Sequence, residues 1–238
     1  MKTVFSIIVW PIWFLYFSIT IILLFIFIYI IPTKNLYILI KPLCWSWCLF
    51  GGQWLTKRND VPLAKNQPYL YMFNHSSMFD QFMIGAYVSH YITAVAAIEV
   101  FKYPIFGYII KQYGIIPIIR KNIKMAINSL SMAEDSLKKG ISFLISPEGT
   151  RSITGSLGGF KKGPFHLAKN TNTTIIPIGL LGAFRAKNKN DWRLTPGKLL
   201  IKFGEPITHN EFKDMSIEEL RNLVKKKISL LINEKECR

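Results

Sequence analysis

Tyr69-Leu70-Tyr71-Met72-Phe73-Asn74-His75-Ser76-Ser77-Met78-Phe79-Asp80 holds a strand, a polar turn and the start of a helix in one short stretch. The apolar run Tyr69–Phe73 reads as a strand. Asn-His-Ser-Ser side chains bond to neighbouring backbone and favour a turn or cap. Phe79–Val88 then reads as a helix.

The same alternation continues downstream. Strands are expected at Ile92–Ala97, Ile115–Ile119, Ile141–Ile145, Thr174–Ile178 and Leu199–Phe203. A helix is expected over Pro104–Tyr113, with Pro at its first position and Gly114 past its end. Another is capped by Asn122, with Ile123, Ile127, Leu130 and Leu137 on one face, and closes at Lys138-Lys139-Gly140. A last helix begins at Ser216, which pairs with Glu219 in a capping box. Segment 146–163 reads as a long glycine-rich loop. Strands alternating with helices imply an α/β fold with a mixed, largely parallel sheet flanked by helices. In such sheets, sites gather in the loops after the carboxyl ends of strands.

Two polar blocks occupy such loops. In the first, His75 can take a proton from a hydroxyl if Asp80 holds its other ring nitrogen. Within one regular helix a spacing of five would splay the two side chains about 140° apart, so the pairing requires the turn. In the second, Pro147-Glu148-Gly149-Thr150-Arg151, Gly149 permits a tight backbone and Thr150 offers a hydroxyl. Arg151 supplies a planar fork for phosphate oxygens. Glu148 can orient that arginine or bond a glycerol hydroxyl. Arg120, at a strand end, is a further candidate phosphate contact. Gly158-Gly159-Phe160-Lys161-Lys162-Gly163 adds backbone freedom and two cations, but lacks the G-K-[ST] ending of a Walker loop. A serine hydrolase could use His75 and Asp80 with Ser76, Ser77 or Ser146; no G-x-S-x-G elbow is present.

The 238 residues carry a formal charge of +16 although half are apolar. The apolar ones concentrate at the start. No charged residue stands between Thr3 and Thr33, and Ile12 to Ile31 is unbroken apolar or hydroxyl-bearing sequence. As a helix that run covers roughly 30 Å, about the hydrocarbon thickness of a bilayer. It ends at Ile30-Ile31-Pro32, without a small-residue cleavage site, so a retained anchor is expected rather than a signal peptide. A second apolar stretch, Leu36 to Leu55, is a second span or an interfacial helix. We therefore divide the chain into a membrane anchor, residues 1–58, and a domain, residues 59–238. Lys34, Lys41, Lys57 and Arg58 follow the first segment and only Lys2 precedes it, which places the domain on the cytosolic face of a bacterial inner membrane or an endomembrane.

Past residue 60 there are 25 basic and 13 acidic residues. Such a domain is drawn to anionic phospholipid headgroups, at about 1 kcal/mol per nearby cation. No zinc-finger, RNP or helix-turn-helix signature supports nucleic acid as the partner. Cys44, Cys48 and Cys237 include no CxxC pair, against a disulfide framework or a zinc site.

Taken in order, Asn74 to Asp80, the run Gly114-Ile115-Ile116-Pro117-Ile118-Ile119-Arg120, Pro147 to Ser152, Phe160 to Gly163 and Ile176-Pro177-Ile178 resemble the motifs of the 1-acyl-sn-glycerol-3-phosphate acyltransferase (PlsC-type) family. The likeness spans roughly residues 55–210. It implies that His75 is the general base and Asp80 its orienting partner. It also implies that Glu148, Gly149, Thr150, Arg151 and Arg120 position an acceptor phosphate. The acceptor would be lysophosphatidic acid and the co-substrate acyl-CoA or acyl carrier protein, with no metal and no other cofactor. Two positions depart from the pattern. Ala97-Ile98-Glu99 lacks the lysine common before that glutamate, and Ser146 stands where an aromatic is usual. The first departure leaves open an acceptor with another headgroup; a membrane-binding scaffold without turnover is the reading outside the enzyme class.

Overall fold

The computed structural model describes residues 1–60, 64, 67–119 and 122–233. In chain order the elements are α1 (Lys2–Phe27), α2 (Tyr37–Phe50), β1 (Gln53–Arg58), β2 (Leu70–Phe73), α3 (Asp80–Tyr87), β3 (Ile92–Ala97) and α4 (Pro104–Gln112). There follow β4 (Ile116–Ile118), α5 (Ile123–Lys138), β5 (Ser142–Ile145), α6 (Gly163–Thr171), β6 (Ile175–Leu181) and α7 (Ala183–Ala186). The chain closes with β7 (Gly197–Phe203), α8 (His209–Phe212) and α9 (Ile217–Asn233). One seven-stranded sheet runs in the order β1-β7-β6-β2-β5-β3-β4. Every pair is parallel except β6 with β7.

Strand β2 lies between β5 and β6, so both its edges are paired, and with a core on each face all four residues are buried. Side chains alternate across a strand. Tyr71 and Phe73 therefore enter one core with Trp13, Trp47, Phe82 and Met83. Leu70 and Met72 enter the other with Phe143, Phe165, Leu220 and Ile228. The first core lies under the two N-terminal helices and α3, the second under α5, α6 and α9. This places the carboxyl end of β2 at the middle of one sheet edge, where the polar turn begins.

Three features differ from the sequence expectation. Gln53–Arg58, counted above with the anchor, is an edge strand whose partner is Gly197–Lys202. The loop expected over residues 146–163 ends where expected, but it runs into α6, a helix that the sequence reading did not name, whose Pro164 stands in the first turn with no N–H to leave unpaired. On α5 the face against the sheet carries Ser129, Ala133 and Leu137, whereas Ile127 is exposed. Leu137 is buried and Leu130 packs on the core as expected, and Ser129 faces the sheet through its hydroxyl, which bonds the Pro117 carbonyl at 2.7 Å.

Among the described residues only α1 is long and apolar enough to cross a bilayer. It is docked along one side. Ser6 Oγ accepts from Leu194 N at 2.8 Å, Trp13 Nε1 donates to Trp47 O at 2.7 Å, and Tyr16 OH donates to Ser46 Oγ at 2.8 Å. Ile8, Ile12, Leu15, Ile19, Leu23 and Ile26, on the opposite side, are exposed.

Candidate active site

Strand β2 ends at Phe73 and α3 begins at Asp80, so residues 74–79 form the turn that the spacing requires. Asn74 fixes its start. Its side chain donates to Leu180 O at 2.9 Å and accepts from Leu180 N at 2.7 Å, tying the turn to β6. Asp80 fixes its end and has no exposed surface. Its Oδ2 accepts from the amides of Ser76 and Ser77 at 2.6 and 2.8 Å, and lies 2.8 Å from His75 Nδ1. Three donors converge on one carboxylate oxygen in the first turn of a helix, where the dipole favours negative charge.

With its proton on Nδ1 facing Asp80, the imidazole presents a lone pair at Nε2. Phe73 packs against the ring at 5.5 Å and 70° between planes. No group among the described residues bonds Nε2, and the side chain keeps 17% of its surface exposed. His75 is therefore held at one nitrogen and open at the other, the arrangement a general base needs.

The second block closes over the same residue. Glu148 Oε1 accepts from His75 N and Oε2 from Gly158 N, each at 2.8 Å, and Ser152 N donates to His75 O at 2.7 Å. Both backbone polar groups of His75 are thereby bonded to the 146–158 loop. The sequence suggested that Glu148 orients Arg151 or bonds substrate. Its two oxygens instead bridge two loops, and the residue is only 6% exposed. Burial pushes its carboxyl above the usual glutamate range and the Asp80 charge adds to this, while the His75 and Gly158 amides and the His75 charge pull it back. A Cβ at Gly158 would stand 2.8 Å from Oε2, so this bridge leaves room only for glycine.

Gly149 takes a left-handed conformation, φ 72°, in the turn closed by Gly149 N to Ser146 O. Thr150 is exposed and Arg151 half-buried, next to Ser152, whose amide bonds the His75 carbonyl. Arg120 lies outside the described residues, as does Cys237. Cys44 and Cys48 are buried in α2, away from solvent. No three His, Cys, Asp or Glu side chains among the described residues come together as a metal site.

Sequence reasoning missed two participants. Ser77 donates to the Lys187 carbonyl at 2.7 Å, which brings the segment after α7 against the turn. Lys187 thus joins the rim of the site from more than a hundred residues away; no local signal marks it. Asn74, expected in a turn or cap, also ties that turn to β6 through the Leu180 backbone, a partner that no neighbouring residue announces.

The family model described as Acyltransferase matches residues 55–181. The chain is similar to the 1-acyl-sn-glycerol-3-phosphate acyltransferase of Cocos nucifera, 34% identical over 160 residues that cover 67% of this chain and 52% of that one. It is also similar to the protein of the same name from Pseudomonas aeruginosa, at 30% identity, covering 70% of this chain and 66% of that one. The chain spans about half the length of the plant relative and about two thirds of the bacterial one. In structure it resembles the PlsC acyltransferase of Thermotoga maritima, with a TM-score of 0.88 over 100% of this chain and 99% of the other, at 22% identity. At that identity the likeness establishes the fold.

Proposed function

The chain belongs to the acyltransferase family, and from that premise we propose that it moves a fatty acyl group from a thioester to the free hydroxyl of 1-acyl-sn-glycerol 3-phosphate. The product is phosphatidic acid, and the reaction serves phospholipid synthesis. The observation that carries the reading is the open Nε2 of an imidazole whose Nδ1 lies 2.8 Å from a fully buried carboxylate.

His75 Nε2 takes the proton of the acceptor hydroxyl while that oxygen attacks the thioester carbonyl carbon. The tetrahedral adduct collapses, the carbon–sulfur bond breaks, and the imidazolium returns its proton to the departing thiolate. Asp80, 2.8 Å from Nδ1, orients the imidazole and faces the charge that forms on it. Arg151 and the lysines of residues 161–162 offer positive charge for the acceptor phosphate. Acyl-CoA and acyl carrier protein are both suitable donors, since each presents the same thioester.

The exposed apolar side of α1 supports a membrane location. The helix bonds the domain at Ser6, and Tyr29 just past its end meets Tyr108, so we read it as lying half-immersed in one leaflet rather than crossing the bilayer alone. The cations that follow it favour the cytosolic leaflet.

The test is acyl transfer from acyl-CoA and from acyl carrier protein to lysophosphatidic acid in mixed micelles. His75→Ala should lower kcat by about 10²–10⁴. Equal rates in the two proteins would remove the base assignment. Turnover of lysophosphatidylcholine in place of lysophosphatidic acid would give the acceptor a different headgroup. No turnover with intact vesicle binding would leave a scaffold.

A further inference from the structure

Outside the blocks that the sequence singled out, a cleft of about 500 Å³ opens between α1 and the segment that follows α7. Trp10, Phe14, Lys187, Lys189, Asn190 and Trp192 line it. Two cations, two indoles and a phenyl ring are an unusual lining for a water-filled notch, since ammonium groups and aromatic rings at such a boundary favour lipid headgroups.

The cleft is built rather than incidental. Trp10 Nε1 donates to Trp192 O at 2.8 Å and Trp10 stacks on Phe14 with centroids 5.2 Å apart, which fixes the α1 wall. Asn188 Oδ1 accepts from Asn190 N at 3.0 Å and Asp191 N at 2.8 Å, which fixes the opposite wall. Asp191, the nearest acid, is engaged by Arg193 through three contacts of 2.9 to 3.2 Å. Among the described residues neither lysine forms an ion pair with it. Lys187 Nζ donates once, to Asn188 O at 2.7 Å, leaving two of its three N–H groups for a ligand. One end of the cleft adjoins the bare apolar side of α1. The other end leads towards the turn that carries the base, since the Lys187 carbonyl accepts from the hydroxyl of Ser77, two residues past His75, at 2.7 Å.

The geometry points to a headgroup site: the cleft receives the phosphate monoester of the acceptor lipid on Lys187 and Lys189, with the indoles against its glycerol and upper chain, and passes it to Arg151 and His75. The inference rests on the acyl-transfer reading above and adds the residues that choose an anionic acceptor. The electrostatics agree. Burial first, and the Arg151 guanidinium second, push the Lys187 ammonium below the ordinary lysine range, while Asp191 opposes them. Two cations sharing a neighbourhood in this way are relieved by a doubly charged anion.

The experiment uses the full chain in neutral-detergent micelles with Lys187→Gln/Lys189→Gln and Lys187→Arg/Lys189→Arg. The Gln pair should raise KM for lysophosphatidic acid about tenfold or more, the loss of one charged hydrogen bond or two. KM for acyl-CoA should stay the same, and the Arg pair should restore most of the acceptor affinity. An unchanged acceptor KM in the Gln pair overturns the site. Binding is measured in parallel by co-sedimentation with neutral vesicles doped with lysophosphatidic acid, lysophosphatidylcholine or phosphatidylglycerol. Selective loss of lysophosphatidic acid binding in the Gln pair supports the cleft even if the wild type turns nothing over, in which case only the reaction is wrong. Equal loss towards phosphatidylglycerol means general surface attraction and overturns the cleft.

Discussion

Replacing Glu148 by Gln keeps its shape and removes one of its two acceptors. In the native chain Oε1 and Oε2 each take a backbone N–H at 2.8 Å, from His75 and from Gly158. The amide can satisfy one of these donors, and its NH2 group must face the other. A charged hydrogen bond of this kind contributes about 1.5–3 kcal/mol, and a buried N–H left unpaired costs about 1–3 kcal/mol. Part is offset, because burial already opposes the carboxylate charge. A net loss of about 2–3 kcal/mol is expected. In a chain of this size that lowers Tm by roughly 4–12 °C. Since the lost partner is the backbone of His75 or of the loop that holds it, the base shifts as well, and a displacement near 1 Å costs about 10²-fold in rate. Thermal unfolding and acyl transfer in the same detergent read both effects. A variant as stable and as fast as wild type would refute the bridge. A variant that changed only the acceptor KM would return Glu148 to the substrate-contacting role suggested by the sequence.

Asn74→Ala removes both bonds to the Leu180 backbone; a loss of about 2–3 kcal/mol is expected, with faster hydrogen exchange at Leu180 N, and unchanged exchange would show that β6 does not need this tie. His90 bonds Ser142 Oγ at 3.0 Å, and burial holds its imidazole below the ordinary histidine range. The unfolded chain therefore takes up this proton first: the stability from neutral His90 is intact above pH of about 6.5 and is lost as pH falls towards the folded value. Relative to His90→Gln, the wild type should lose Tm between pH 7.5 and pH 5.5; a constant difference would contradict the sign.

The sequence showed the fold where local rules governed. Strands Leu70–Phe73 and Ile92–Ala97, the helix opened by Pro104, the Asn122 cap and the Ser216–Glu219 box all formed near their expected places. Each depends on side chains within a few residues of one another. Gln53–Arg58 was hidden because its partner lies in Gly197–Lys202, and because it continues an apolar helix without a turn signal beyond two glycines. The site divided the same way. The His75–Asp80 spacing was legible once a turn was inferred, since both residues belong to one strand-to-helix junction. The Glu148 bridge and the approach of Lys187 arise only when loops from different strands meet at the sheet edge, and no short window of sequence holds both partners.

The docking of the first helix has a practical corollary. Trp13, Ile21 and Leu24 roof over Trp47 and Phe82, so cutting away residues 1–27 to obtain a water-soluble form would strip one greasy flank only to uncover another. A better starting point for such a form is to keep the helix and repaint its outer stripe at Ile8, Ile12, Leu15 and Ile19, leaving the roof in place.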